Sequence, residues 1–168
     1  MTLPLSHAVR DASIIAVTLL VWWVDATLRN QGGTIAVTVA IVAGALTALC
    51  GYLLHEWGHL LGALSARSAV HLPETASSVF LFRFDSDRNS RAQFLRMSMG
   101  GFVASALVIV LLVGVLPLDA LSGKVAMFLV VLGVVATFIL EVPVAWRVAR
   151  GAPIPSGAAY RSATDAQG

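Results

Sequence analysis

The sequence predicts an all-α integral membrane protein of about four transmembrane helices, with a short strand-like segment on the cytoplasmic side between helices two and three. Of its 168 residues, 58% are hydrophobic and only 12% are charged, which is typical of a chain that lies in lipid. Its apolar runs are long enough to cross roughly 30 Å of hydrocarbon as helices. The formal charge of +2 is too small to indicate nucleic-acid binding, so we expect the partners to be the lipid bilayer and other membrane proteins.

The first predicted span runs from about residue 12 to residue 28. It lacks a small-residue cleavage site and further spans follow it, which favours a retained helix over a signal peptide. Asp25, near its end, lies close to Arg29, and we expect the two side chains to pair at the interface. In the polar stretch before the span, we expect His7 to be a solvated terminal side chain.

The second predicted span, residues 34–66, contains 33 residues. A helix of this length would be roughly 50 Å long and must tilt, bend or protrude from the hydrocarbon core. Gly51, Gly58 and Gly62 lie on one side of it, where another helix backbone can approach closely. The one cysteine, Cys50, points away from that side and is interpreted as a small core residue without a chemical role.

This span carries the motif His55-Glu56-Trp57-Gly58-His59. Histidines four residues apart share one helix face, about 40° from each other, so both imidazoles can reach one metal ion. Glu56 flanks that face, where a carboxylate can take a proton from a metal-bound water without being a ligand. Because ionisable groups in a membrane span are costly, they indicate function; the alternative is a polar cluster that only holds helices together.

The segment of residues 67–93 is polar, but residues 78–84 within it are rich in β-formers and precede a turn-like stretch at residues 85–89. Three phenylalanines, at positions 80, 82 and 84, share one face. Two interpretations stay open: a strand or hairpin at the membrane surface, or an interfacial loop that dips its phenylalanines into lipid.

The third predicted span, residues 94–116, contains the small residues of Gly100-Gly101-Phe102-Val103-Ala104-Ser105, a pattern suited to close helix packing. A short turn follows, in which Asp119 is expected to be solvated.

The fourth predicted span, residues 124–146, has one ionisable group in its interior, Glu141. Pro143 leaves the carbonyl of residue 139 without its helical partner, which predicts a kink beside the carboxylate. We expect residues 1–150 to form a single transmembrane domain and residues 151–168, rich in Gly, Ala, Pro and Ser, to form a flexible cytoplasmic tail.

Basic residues predict the orientation of the spans. The two termini and the segment between spans two and three would share one side, which holds nine basic residues against two, Arg29 and Lys124, on the other side. By the positive-inside rule both termini are cytoplasmic, in a multi-pass protein of the inner or plasma membrane. The nine are Arg10, Arg67, Arg83, Arg88, Arg91, Arg96, Arg147, Arg150 and Arg161.

This topology also ranks the candidates for a third metal ligand. His59 lies seven residues before the cytoplasmic end of its span, and Glu141 lies six residues before Arg147, so the two side chains have similar depth. Asp25 and Asp119 fall at the opposite membrane face. His71, twelve residues beyond His59, could fold back from the cytoplasmic side and competes with Glu141.

Together these residues resemble the site-2 protease family of intramembrane zinc metalloproteases. His55, Glu56 and His59 match the family's His-Glu-x-x-His motif residue by residue. Residues 101–105 look like its Gly-Pro-x-Ala-Asn segment, with Phe102 in place of proline and Ser105 in place of asparagine. Glu141 stands where the family has an aspartate followed by glycine.

The resemblance implies an activity and a cofactor. Zn²⁺ would be held by His55, His59 and Glu141, with Glu56 as general base, and the enzyme would hydrolyse peptide bonds in or near transmembrane segments of a membrane-protein substrate. Residues 79–84 could hold that substrate as an added strand. The alternative is a non-catalytic, metalloprotease-like helical subunit that packs against a membrane partner subunit within a larger complex. A di-iron bundle or a desaturase would need more ligands than the sequence offers.

Overall fold

The computed structural model describes residues 5–73, 78, 80–156 and, for the backbone alone, 160–161. Helix α1 spans Leu5–Leu28, α2 spans Gly33–Ser65, α3 spans Arg91–Val115, α4 spans Leu121–Leu140 and α5 spans Val142–Ala149. With α4 and α5 taken together, four helices within these described residues are long and apolar enough to cross a membrane. The predicted helical architecture is confirmed, and the chain has the helices of a multi-pass membrane protein.

Helix α2 is the centre of the bundle, and α1, α3 and α4 all pack against it. Its approach to α3 is unusually close. A Cβ atom at Gly58 would lie 2.5 Å from both the Ala104 side chain and the Gly100 carbonyl oxygen, and one at Gly100 would overlap the carbonyl of Gly58. Only glycines allow this separation, so the glycine face predicted on the second span is confirmed as the face that receives another helix.

Polar contacts join α1 to its neighbours. Near the C-terminal end of α1, the buried Asp25 accepts hydrogen bonds from Arg29 Nη2 at 2.9 Å and from Ser122 Oγ at 2.8 Å. The predicted Asp25–Arg29 pair is therefore present, and the hydrogen bond from Ser122 joins it to the first turn of α4. At mid-height, Trp22 Nε1 donates to Thr47 Oγ1 at 2.8 Å.

The prediction that His7 is solvated is wrong. Helix α1 begins at Leu5, seven residues before the expected start of the span, and this carries His7 onto the packed face, where it is 1% exposed. Asp11, one turn further along the same face, is also buried and accepts a hydrogen bond from Trp57 Nε1 at 2.8 Å. Residues 5–11 of the polar start are thus part of the folded bundle.

Three short strands form a sheet beside the ends of α2 and α3. Strand β1, Val70–His71, pairs antiparallel with β2, Arg83–Asp85, and β2 pairs in parallel with β3, Tyr160–Arg161. The strand-like segment between helices two and three is therefore present, although shorter than its sequence pattern; residue 79 lies outside the described residues. Residues 85–89 form the expected turn, in which Asp85 Oδ1 accepts from the backbone N–H groups of Asp87 and Arg88.

Two of the three phenylalanines in this segment are buried inside the protein. Phe84 packs edge-to-face on Phe94 of α3 with ring centroids 5.9 Å apart. Phe82 belongs to the same core cluster, while Phe80 is half-buried. Because Phe82 and Phe84 pack against α2 and α3 residues, the lipid-dipping interpretation is wrong for both.

The fourth span breaks at Glu141, as Pro143 predicted. Helix α4 ends at Leu140 and α5 begins at Val142, so Glu141 lies at the junction. Beyond α5, Ile154 packs on the core cluster and the Pro155 carbonyl accepts from Ser86 Oγ at 2.7 Å. This part of the tail lies against the sheet; the flexibility of the tail stays a prediction.

The orientation of the bundle is open to a direct test. Arg10 Nη1 donates to the Ser78 carbonyl at 2.9 Å, so the start of α1 lies at the same end of the bundle as the sheet. From the distribution of basic residues we expect this end to be cytoplasmic. A compartment-sensitive reporter fused after Gly168 should report the cytoplasm, and one inserted near Gly33 should report the opposite side. The reverse pair of signals would invert the topology.

Candidate metal centre

Among the described residues, one group of three side chains could hold a metal ion: His55 and His59 of α2, and Glu141 at the α4–α5 junction. The two Nε2 atoms lie 2.9 Å apart. Glu141 faces both rings, with Oε1 3.3 Å from His55 Nε2 and Oε2 3.2 Å from His59 Nε2. The structure thus brings together the three residues that the sequence predicted as metal ligands.

The spacing of these atoms fits a tetrahedral ion. Bonds of about 2.0–2.2 Å to nitrogen and oxygen place neighbouring ligand atoms about 3.3–3.6 Å apart. The nitrogen–oxygen distances of 3.3 and 3.2 Å lie at the low end of this range, and the Nε2–Nε2 distance of 2.9 Å is shorter. Two imidazoles and one carboxylate are donors that suit several transition metals, so the geometry supports a metal site without naming the metal.

Helix α3 orients both histidines through their other ring nitrogen. His59 Nδ1 lies 2.9 Å from the Met97 carbonyl, and His55 Nδ1 lies 3.1 Å from the Gly101 carbonyl and 2.9 Å from Ser105 Oγ. A carbonyl oxygen can only accept, so the Nδ1 of each ring carries a hydrogen, and Nε2, which faces Glu141, is the ring nitrogen available to a metal ion. This is the arrangement that fixes metal-binding histidines in other proteins.

Sequence reasoning assigned α3 a packing role and missed that it orients the ligands. A signal was available: Met97, Gly101 and Ser105 are spaced four apart, as are His55 and His59, so one α3 face can run along the ligand face of α2. Gly101 is required there because a Cβ atom at this position would overlap the His59 ring. The small-residue segment therefore brings acceptors into contact with the imidazoles as well as packing two helices.

Glu56 lies beside the three candidate ligands. It lines a cavity of about 140 Å³ that is also lined by His59 and Glu141. Its Oε2 accepts a long hydrogen bond of 3.5 Å from the Leu81 backbone N–H. Glu56 is therefore at the site but outside the set of converging ligand atoms, as its place in the motif predicted.

The site is buried on one side and open on the other. The side chains of His55 and His59 are 7% and 11% exposed, whereas that of Glu141 is 40% exposed. The cavity beside Glu141 continues between Phe80, Phe82, Phe94 and Leu140. A reactant can therefore approach the ligand atoms from the Glu141 side.

His71, the competing third ligand, is paired elsewhere. Its Nε2 donates to Asp85 Oδ2 at 2.9 Å. Burial alone would raise the pKa of Asp85, but the hydrogen bonds from His71 and from the Arg88 and Asp87 backbone outweigh it, so the pKa lies below its usual value. The stabilisation from this carboxylate is therefore present above its unfolded pKa and is lost as pH falls through the lowered folded value.

The remaining ligand candidates also lie away from the site. Asp25 is held by Arg29 and Ser122 at the other end of the bundle, and Asp119 is exposed in its turn, as expected. Cys50 faces α1, with Sγ 3.3 Å from Thr18 Oγ1.

Comparison with protein-family models, with characterised proteins and with solved structures found no match for this chain. Its function is therefore inferred from its own residues and their geometry.

Proposed function

We propose that the protein is an intramembrane zinc metalloprotease that hydrolyses peptide bonds in or near transmembrane segments of membrane proteins. One observation carries the proposal: His55, His59 and Glu141 converge between membrane-length helices, with Glu56 on the wall of the same cavity. The resemblance of the His55-Glu56-x-x-His59 motif to the site-2 protease family supports it.

Zinc would be held by Nε2 of each histidine and a carboxylate oxygen of Glu141. Three protein ligands are typical of catalytic zinc sites, where a fourth position is left for water or substrate, whereas structural sites have four. When bound, zinc acts as a Lewis acid on a carbonyl and lowers the pKa of water to near neutrality. The Met97, Gly101 and Ser105 acceptors hold the two rings in place for this role.

Glu56 would act as general base and then as general acid. Its carboxylate takes a proton from the water whose oxygen attacks the scissile carbonyl carbon, and it passes that proton to the leaving amine nitrogen as the C–N bond breaks. Half-burial beside Leu81 and His59 keeps the carboxylate at the cavity wall. No atom of Glu56 is needed to hold the metal, so ligation and proton transfer are carried by separate residues.

The substrate would bind in an extended form, because a helix shields its own peptide bonds. Strand addition along the sheet is the natural mode, but the residues of β2 already pair with β1 on one edge and with β3 on the other. Of the segment that we expect to hold substrate, residues 80–82, just before β2, are the described part left for such pairing. Phe80 and Phe82 line the cavity there, at the mouth of the site.

The proposal is tested by metal content and by cleavage in membranes. Protein purified in detergent should contain one zinc per chain. Host membranes that contain the protein should show new peptide termini in or near transmembrane segments when mapped by mass spectrometry, against membranes that lack it. A protein without metal would refute the proposal. Full zinc occupancy with no new termini would favour the alternative, a non-catalytic subunit of a larger membrane complex.

A further inference from the structure

A second cavity, of about 80 Å³, is walled by α2, α3 and α4. His55 and Ser105 line it, and so does Thr137, which precedes Glu141 by one turn on α4. The rest of its wall is apolar or glycine apart from Tyr52: Ala48, Gly51, Val108, Leu129, Val130, Gly133 and Val134. The three candidate ligands therefore line two cavities, His55 the smaller one and His59 and Glu141 the larger one.

The size of this second cavity limits what it can hold. A water molecule occupies about 30 Å³ in the liquid, and an apolar cavity of about 150 Å³ binds benzene. A space of about 80 Å³ thus fits a side chain of three or four carbons and is too small for an aromatic ring. An apolar wall around a space of this size favours Val, Leu or Ile over polar side chains.

We infer that this cavity is the specificity subsite for an aliphatic side chain of the substrate residue next to the scissile bond. The inference rests on the proposed function. Successive side chains of an extended peptide point to opposite sides and lie about 3.3 Å apart along the chain. A substrate residue bound beside His55 can therefore place its side chain in the small cavity, while the side chains of the adjacent substrate residues face the larger cavity, which is lined by Phe80 and Phe82.

Gly133 offers a place to add bulk beside the cavity without a clash. It is exposed, and a Cβ atom there would meet nothing within 4 Å, so Gly133→Leu has room at the exposed edge of the cavity lining. Gly114 of α3 also meets nothing within 4 Å but does not line the cavity, which makes Gly114→Leu a matched control for the effect of leucine in a helix. Gly51→Ala fills the cavity from α2, where its Cβ would make ordinary contacts of 3.6 and 3.7 Å with Val108 and Val130.

The probes are N-acetyl hydroxamates of glycine, leucine and phenylalanine, titrated into Co²⁺-loaded protein in detergent. A hydroxamate binds the metal, so the visible absorption of Co²⁺ reports its affinity independently of turnover. We expect the leucine probe, which carries an isobutyl group that glycine lacks, to bind at least tenfold tighter than the glycine probe, because a single methylene in an apolar pocket is already worth roughly 10–200-fold. The phenylalanine probe should show no such gain.

Gly133→Leu and Gly51→Ala should each reduce the advantage of the leucine probe and leave the glycine probe unchanged, while Gly114→Leu should match wild type. Equal affinities for all three probes in wild type, or an equal loss of all three in both cavity variants, would overturn the subsite. Failure of Co²⁺ to bind, or of every hydroxamate to perturb its spectrum, would instead overturn the metal site and the proposed function with it.

Discussion

Glu141→Ala should lower the zinc affinity of the protein by more than about 100-fold, because it removes one of three ligands. Loss of a residue that only orients a metal ligand costs about 10–100-fold, and loss of the ligand itself should cost more. The two Nε2 atoms would remain 2.9 Å apart on α2 with no carboxylate opposite them. Zinc content after dialysis against a graded chelator measures the effect.

Two variants calibrate this result. Ser105→Ala removes one of the two acceptors of His55 Nδ1 and leaves the Gly101 carbonyl, so zinc should weaken by no more than about tenfold, the low end of the usual cost. His71→Ala removes a histidine that pairs with Asp85 and should leave zinc affinity at the wild-type value. Retention of zinc by Glu141→Ala together with its loss in His71→Ala would transfer the third ligand to His71 and leave Glu141 as a residue of the helix junction.

Glu56→Gln should lower the rate of peptide cleavage by about 10²–10⁴-fold, the usual contribution of a general base, and should leave the zinc content unchanged. Glutamine has the size of glutamate and its amide oxygen can still accept from the Leu81 N–H, so the cavity wall is preserved. What is lost is the ability to take a proton from water. The rate is measured on a membrane substrate identified from the new peptide termini.

Asp119→Asn is the control for this substitution, because it removes a carboxylate that is exposed in a turn. Its cleavage rate and its zinc content should both equal those of wild type. Undiminished cleavage by Glu56→Gln would remove Glu56 from the mechanism, whereas loss of zinc from this variant would make Glu56 a ligand.

The sequence by itself was sufficient to predict the helices and to select the three side chains that the fold brings together as a possible metal site. Long apolar runs predict membrane-length helices from composition alone, and the spacing of His55 and His59 places both rings on one helix face by local geometry. Glu141 was selected because it lies at about the same depth in its predicted span as His59 does in the second span. Ionisable side chains inside a membrane are costly unless they are paired, so two of them at one depth are expected to interact. The break beside it followed from Pro143, which lacks a backbone N–H.

Only the tertiary structure decided how those ligands are held and what surrounds them. The acceptors of the two Nδ1 atoms lie 38 to 50 residues away along the chain, and their position depends on how closely α3 packs against α2. The same long-range packing buries His7 and places Phe82 at the cavity wall. The periodicity of the sequence predicts which face of a helix is apolar. Which helix packs against that face depends on contacts between distant parts of the chain, which periodicity does not contain.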